Sequence, residues 1–257
     1  MASLLIPSPY LPLAAADLPA LPPTQDDLPC DDGVPMETLR HQFQMDLLID
    51  VMDRWLAARG DGFAGGNMFL YYSLEQTRHN TFVGPDFFVA LDVPRGERKS
   101  WVIWEQGKGP DLVVELLSAS TAQYDKTLKK TLYARQVHVP EYYWYDPFNP
   151  EDFAGFILHG GYYQPLVIDA RGRIHSPTLN LDLGRWSGTF RGIEAVWLRW
   201  FTPEGAMLPT EAEAAQQHAE AAQQHAEAAQ QRAEAAQQRA ERLAEQLRQL
   251  GVDPDSF

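Results

Sequence analysis

The sequence predicts an α/β fold, and three consecutive stretches carry that prediction. Residues 112–117 (LVVELL) form an apolar run whose two alternating faces are both hydrophobic, the signature of a strand covered on both sides. A helical segment follows from Ser120, which with Gln123 makes a capping box. Pro140 then breaks the chain, and Glu141-Tyr-Tyr-Trp-Tyr145 reads as another strand. A strand–helix–strand unit of this kind favours parallel pairing with a right-handed crossover, which lays the helix over the sheet.

The first of these strands carries a carboxylate in its middle. Burying an ionised carboxylate costs several kcal/mol unless a cation or hydrogen-bond donors answer it, so Glu115 requires a partner. A structural salt bridge and a functional acid both satisfy that requirement. On the helix, Tyr124, Leu128, Leu132 and Arg135 follow helical spacing, so that stripe is expected to face the protein. Lys126 and Lys130 fall opposite and read as solvent lysines. Asp125 and Lys129 lie on the flank, one turn apart, within sideways reach of the sheet.

Length and composition bound what such a fold can do. With 257 residues, 45% hydrophobic and 11% aromatic, the chain can hold one substantial domain with appendages. One cysteine, Cys30, excludes an internal disulfide framework and a cysteine-rich zinc site, which fits a reducing, cytoplasmic setting. No apolar run approaches the ~20 residues of a membrane span, and the proline-broken N-terminus lacks the basic start of a secretory signal. The net charge of -14 weighs against a protein that binds nucleic acid through overall charge. It suits a site that gathers carboxylates around a divalent metal.

Residues 1–35, rich in Pro, Ala and Asp, read as an extended or disordered leader. Leu39, Phe43, Leu47, Val51 and Trp55, with Leu48, Met52 and Leu56 beside them, predict an amphipathic helix ending near Gly60. Glu37 and His41 stand one turn apart at its start. Gly65-Gly66 reads as a turn into a strand at 68–72; no Lys-Ser/Thr follows, so it is not a phosphate loop. Residues 84–92 form a second strand, with Phe87, Val89 and Leu91 on one face and Asp86, Phe88 and Ala90 on the other. Should it neighbour the strand of Glu115, two carboxylates from adjacent strands meet, and with backbone carbonyl and water they make a magnesium site. Asp86 as a plain turn residue is the alternative. The basic and aromatic stretch 95–104 reads as a hairpin with solvated tips.

Beyond Asp146, residues 156–158 and 162–168 read as a hairpin about Gly160-Gly161, and further short strands make a small β extension from about 150. His159 and His175 read as surface histidines. From Glu211 the sequence repeats in sevens, AEAAQQH twice and AEAAQQR twice, with alanines at alternating spacings of three and four. This is the pattern of a coiled coil with a close but weak seam, or of a single long helix. His218 and His225 recur once per heptad at polar positions, which argues against a metal site.

These residues together resemble the Uma-two family of restriction-endonuclease-like proteins, a branch of the PD-(D/E)XK nuclease superfamily. The resemblance runs from about Met36 to Leu208. It rests on Gly84-Pro85-Asp86, on Pro110-Asp111 through Glu115 to Ser118, on Ser120-Thr121, Asp125, Lys129 and Tyr133, and on Glu141 through Asp146-Pro147. It implies a mixed β-sheet core flanked by helices and metal-dependent hydrolysis of phosphodiester bonds. By position, Asp86 is similar to the motif aspartate and Glu115 to the acid of the E-x-K element. The lysine of that element falls at position 117, where this chain has Leu117; the resemblance passes its role to Lys129. Asp111 corresponds to a further ligand or to a residue holding the start of the strand, and Glu37 to the first-helix acid.

The domain plan expected from all this is a leader (1–35), a nuclease-like domain (36–208), a heptad helix (209–250) able to make a homo-oligomer, and a tail (251–257). The function expected is a Mg2+-dependent endonuclease acting on DNA, with Mn2+ as a substitute ion, Asp86, Glu115 and Lys129 as catalytic residues, Asp86 and Glu115 holding the metal, Lys129 orienting the attacking water or neutralising developing charge, and Asp111, Glu37 and Asp125 in support. The rival, supported by Leu117 and by the acidic balance, is a weakly active or inactive scaffold that binds nucleic acid or protein.

Overall fold

The computed structural model describes residues 21–30, 38–79 and 83–249. Its centre is a six-stranded mixed sheet. In chain order the strands that build it are β1 (Phe63–Gly65), β3 (Phe87–Ala90), β5 (Leu112–Leu116), β6 (Glu141–Tyr145), β7 (Phe153–His159) and β8 (Tyr162–Pro165), and they lie side by side in that order. Only β5 and β6 pair in parallel; every other neighbouring pair is antiparallel. The connection from β5 to β6 is the helical run 122–137, here α4, as the strand–helix–strand pattern predicted.

Both faces of the sheet are covered. Helix α1 (Leu39–Arg59) buries Leu47, Leu48, Val51, Met52 and Leu56 against Phe87, Val89, Leu112 and Val114. Thr38 caps its start by accepting a hydrogen bond from the His41 N–H, and Gly60, in the left-handed region at φ 90°, ends it. Leu39, at the head of the expected apolar ladder and the first residue of the helix, is 57% exposed. Buried Gln44 joins α1 to β11 (Ile193–Phe201) by accepting from the Leu198 N–H and donating to the Leu198 carbonyl. The opposite face holds Phe88, Ala90, Val113, Tyr133, Val137 and Tyr142, with α4 above them.

Several elements differ from the sequence expectation. Gly65 lies inside β1 rather than in a turn. Stretch 95–104 is not a hairpin: β4 (Trp101–Val102) pairs in parallel with β2 (Leu70–Tyr71), and α3 (Ile103–Gln106) follows at once. Between β2 and β3 lies the short helix α2 (Leu74–His79). Trp101 is wholly buried against Phe63 and Phe88, so aromatic burial outweighs the basic residues around it. The hairpin β7–β8 extends the main sheet instead of starting a separate extension. The remaining short strands merge into β9 (Arg173–Ser176), β10 (Leu181–Phe190) and β11, an antiparallel three-stranded sheet. His159 and His175 are exposed, and His175 Nδ1 meets Asp182 at 2.9 Å.

Residues 21–30 turn once, at 24–27, and are tied to the domain: the Trp104 indole donates to the Pro23 carbonyl, the Tyr71 hydroxyl to the Pro29 carbonyl, and Lys99 pairs with Asp26. The last helix, α5 (Glu211–Gln249), is anchored at its start, where Glu213 accepts from buried Arg199 at 2.7 Å. Beyond Ala214 it is largely exposed. Glu37, residues 1–20 and residues 250–257 lie outside the described residues.

Candidate active site

Register places the two strand carboxylates together. In the antiparallel ladder between β3 and β5, Phe87 is opposite Val114 and Phe88 opposite Val113, so one step further Asp86 comes opposite Glu115. Alternation puts Glu115 on the same face as Val113, and Asp86 on the same face as Phe88, which is the face covered by α4. Hydrogen bonds tie Asp86 to β5 at this strand end. Asp86 Oδ2 accepts from the Leu116 N–H at 2.7 Å, and Glu115 Oε2 lies 3.4 Å from the Asp86 N–H. Gly66 makes room for this junction: a Cβ there would stand 2.2 Å from the Asp86 carbonyl oxygen.

Helix α4 supplies the cation. Lys129 Nζ donates to Glu115 Oε2 at 2.7 Å and lies 3.6 Å from Asp125 Oδ1. The helix face differs from the one expected. Tyr124 and Leu128 are 47% and 67% exposed, whereas Asp125, Lys129, Tyr133 and Val137 turn to the sheet. Two segments of α4, Asp125–Lys129 and Tyr133–Val137, are π-helical. Their wider turns offset the drift of about 40° per step that an i, i+4 row accumulates at 3.6 residues per turn, so all four residues stay on one face. The buried carboxylate in β5 needs a cation more than the leucine needs cover, and the polar row wins. Lys126 and Lys130, expected in solvent, are partly buried: Lys126 pairs with Asp152, and Lys130 sits over Phe156 and Trp144.

The electrostatics are unbalanced. Glu115 is fully buried, and burial pushes its carboxyl well above the ordinary range; Lys129 pulls it down, while Asp86 and Asp125 push it further up. Burial likewise raises the Asp125 carboxyl. Burial disfavours the Lys129 ammonium, but the three carboxylates outweigh it and hold its pKa above the ordinary lysine value. Three acids against one lysine leave two negative charges in excess when all are ionised. Two buried oxygens of the site, Glu115 Oε1 and the Tyr133 hydroxyl, make no well-formed hydrogen bond, and the Tyr133 phenol, pushed up by burial, lies beside the Glu115 carboxyl.

Such a donor set fits a hard divalent cation. Asp86 and Glu115 offer carboxylate oxygens, and a cation there would favour the ionised form of Glu115 that burial disfavours. No cluster of three or more His, Cys, Asp or Glu arranged for a metal occurs among the described residues. Magnesium is ordinarily held by one or two carboxylates, with water and substrate phosphate completing its shell.

The other expected residues are elsewhere. Asp111, at the opposite end of β5, accepts from Lys108 at 2.6 Å and from the Leu91 N–H at 2.7 Å. It lies four residues from Glu115, about 13 Å along an extended strand. It secures the start of β5 and is not brought to the acid cluster. Asp125 is brought there. Leu117 is wholly buried, so position 117 contributes no charge. His41 donates from Nε2 to the Leu117 carbonyl at 2.9 Å and braces α1 against the end of β5.

Residues not singled out as functional also shape the site. Tyr142 donates its hydroxyl to the Asp125 carbonyl at 2.8 Å, at the widened turn that aims Asp125 and Lys129. Ser118 Oγ accepts from the N–H of Thr121, the residue at the head of the helix. The i, i+4 spacing of Lys129 and Tyr133 was the available signal for Tyr133 beside Glu115.

Fold and site thus define an α/β protein with two carboxylates from adjacent strands and a lysine from the covering helix converging at one strand end. The chain belongs to the Uma2 family, described as "Putative restriction endonuclease", whose model matches residues 18–189. This is a nuclease family. Among solved structures the chain is similar to a crystal structure described as a putative nuclease of DUF820 from Anabaena variabilis, at 16% identity and a TM-score of 0.42. The match covers 61% of this chain and 90% of that one. No curated protein matches the chain. No described helix is long and apolar enough to cross a membrane.

Proposed function

We propose that the protein is a Mg2+- or Mn2+-dependent endonuclease that hydrolyses phosphodiester bonds in DNA on the PD-(D/E)XK plan. The observation that carries this reading is the contact of Lys129 with Glu115, opposite Asp86, with Asp125 as a third carboxylate at the same lysine. Family membership supports the nuclease class.

Asp86 and Glu115 would hold the ion, which supplies Lewis acidity toward a phosphoryl oxygen and a lowered pKa for water. Hydrolysis breaks one P–O bond; the water oxygen joins phosphorus and a proton reaches the departing oxygen. Lys129 presents a fixed ammonium to the charge that builds on the phosphoryl oxygens, and Glu115 fixes its Nζ. Asp125 holds Lys129 from the helix side, and the buried Tyr133 ring excludes water behind the pair.

Supercoiled plasmid incubated with Mg2+ or Mn2+ is expected to be nicked or linearised by the wild type and left intact by Glu115→Ala. Equal cleavage by both proteins removes the assignment. Loss of metal-dependent cleavage from the wild type as well favours the scaffold reading, whose support is Leu117.

A further inference from the structure

On its outer side α4 borders a groove of about 490 Å3, walled by the helix and by the β7–β8 hairpin. Its lining includes the cations Lys126, Lys130 and Arg135 and the rings of Tyr162 and Tyr163, beside apolar Leu128. Lys126 is neutralised by Asp152, but Lys130 and Arg135 have no carboxylate partner among the described residues. Lys130 Nζ lies 3.1 Å from the centre of the Phe156 ring, and the Arg135 guanidinium lies 4.5 Å from that of Tyr162. Tyr162 is 63% exposed. Both cations rest on aromatic rings rather than on carboxylates, so an anion entering the groove meets two charges that no described acid neutralises. Burial without a countercharge pushes the Lys130 ammonium down to about 8, a cost that an incoming anion relieves.

We propose that this groove binds a single-stranded nucleic-acid segment, with Lys130 and Arg135 on backbone phosphates and the Tyr162–Arg135 pair as a stacking platform for an unpaired base. The inference rests on the nuclease reading for its choice of ligand. Charge and planar groups select this occupant. Phosphates account for the unpaired cations, an exposed ring backed by a guanidinium is a base-stacking surface, and the volume suits a nucleotide-sized unit rather than a duplex. The groove lies one helix width, about 10 Å, behind the Glu115–Lys129 pair. A strand held there is tethered to the helix that carries Lys129 and Asp125 without touching either.

The test is fluorescence anisotropy of a short labelled oligodeoxythymidine with the full chain in EDTA, where binding is read without cleavage. The Lys130→Gln/Arg135→Gln variant is expected to bind roughly tenfold more weakly. Its plot of log affinity against log salt should be shallower by about 1.4, from two lost phosphate contacts on a single strand. Tyr162→Ala is expected to weaken binding about fivefold or more, while Lys130→Arg, which keeps the charge, retains affinity. Unchanged affinity and salt slope in the double variant overturn the proposal. A duplex probe held more tightly than the single strand, with no effect of Tyr162→Ala, overturns it too. Glu115→Ala separates the two readings: cleavage equal to wild type removes the catalytic assignment and leaves a groove defined by its own variants.

Discussion

Glu115→Gln and Lys129→Met should have opposite effects on stability. Lys129→Met leaves a fully buried carboxylate beside two others with no cation, and removing one partner of a buried pair costs ~3–5 kcal/mol. For a domain of this size that is a fall of roughly 10 °C in Tm. Glu115→Gln removes a charge that burial already penalises, and Lys129 keeps Asp125 at 3.6 Å, so the variant should lie within ~1 kcal/mol of wild type or above it. Urea unfolding followed by tryptophan fluorescence in EDTA measures both. The pH dependence has a defined sign. Glu115 has a raised pKa in the fold, so the native state binds the extra proton. Stability is therefore full below the ordinary carboxylate range of about 4.3 and falls as pH rises through the folded value; Glu115→Gln lacks that slope. A loss above ~3 kcal/mol in Glu115→Gln, equal to that of Lys129→Met, would mean the pair is a structural bridge.

Other substitutions probe separate parts of the molecule. Gly66→Ala puts a methyl against the Asp86 carbonyl oxygen and should cost ~1–3 kcal/mol while lowering metal-dependent cleavage, both measurable on one preparation. Strand binding in the groove should weaken as pH rises through about 8, where Lys130 loses its proton. The groups facing it are Lys126 with Asp152, Arg135, Tyr162 and Tyr163, and Lys130→Arg should abolish the inflection because arginine stays charged. Truncation after Pro209 removes a helix about 58 Å long with an exposed alanine seam. Sedimentation should then show a single-chain mass where the full protein shows a multiple, and an unchanged state of assembly removes the helix as an oligomerisation element.

The acid pair was legible because burial rules are strict: a carboxylate inside an apolar strand demands an answer, and period-2 alternation fixes which face it takes. Glu115 and Asp86 could be placed on those grounds, α1 by its apolar row, and Lys129 only as a flank residue whose role the resemblance supplied. The orientation of α4 was not legible. Hydrophobicity pointed Leu128 inward, but the countercharge required by Glu115 turned Lys129 inward, and no sequence period announces a π-turn. Stretch 95–104 misled for a related reason, since Trp101 is a core residue set among surface cations. The membership of β7 and β8 in the main sheet depends on pairing with β6, a long-range choice that a local turn signal at Gly160-Gly161 does not specify. Asp111 carries the same residue type as a ligand, and only its distance along β5 assigns it to Lys108 instead.

Metal binding reaches the centre of the proposal most directly. Titrating Mn2+ into the metal-free protein in a calorimeter should give site-dependent heat for the wild type and none for Asp86→Asn or Glu115→Gln, with both variants folded. Identical isotherms for all three proteins would contradict it, because no cation would then be held where Asp86 and Glu115 meet.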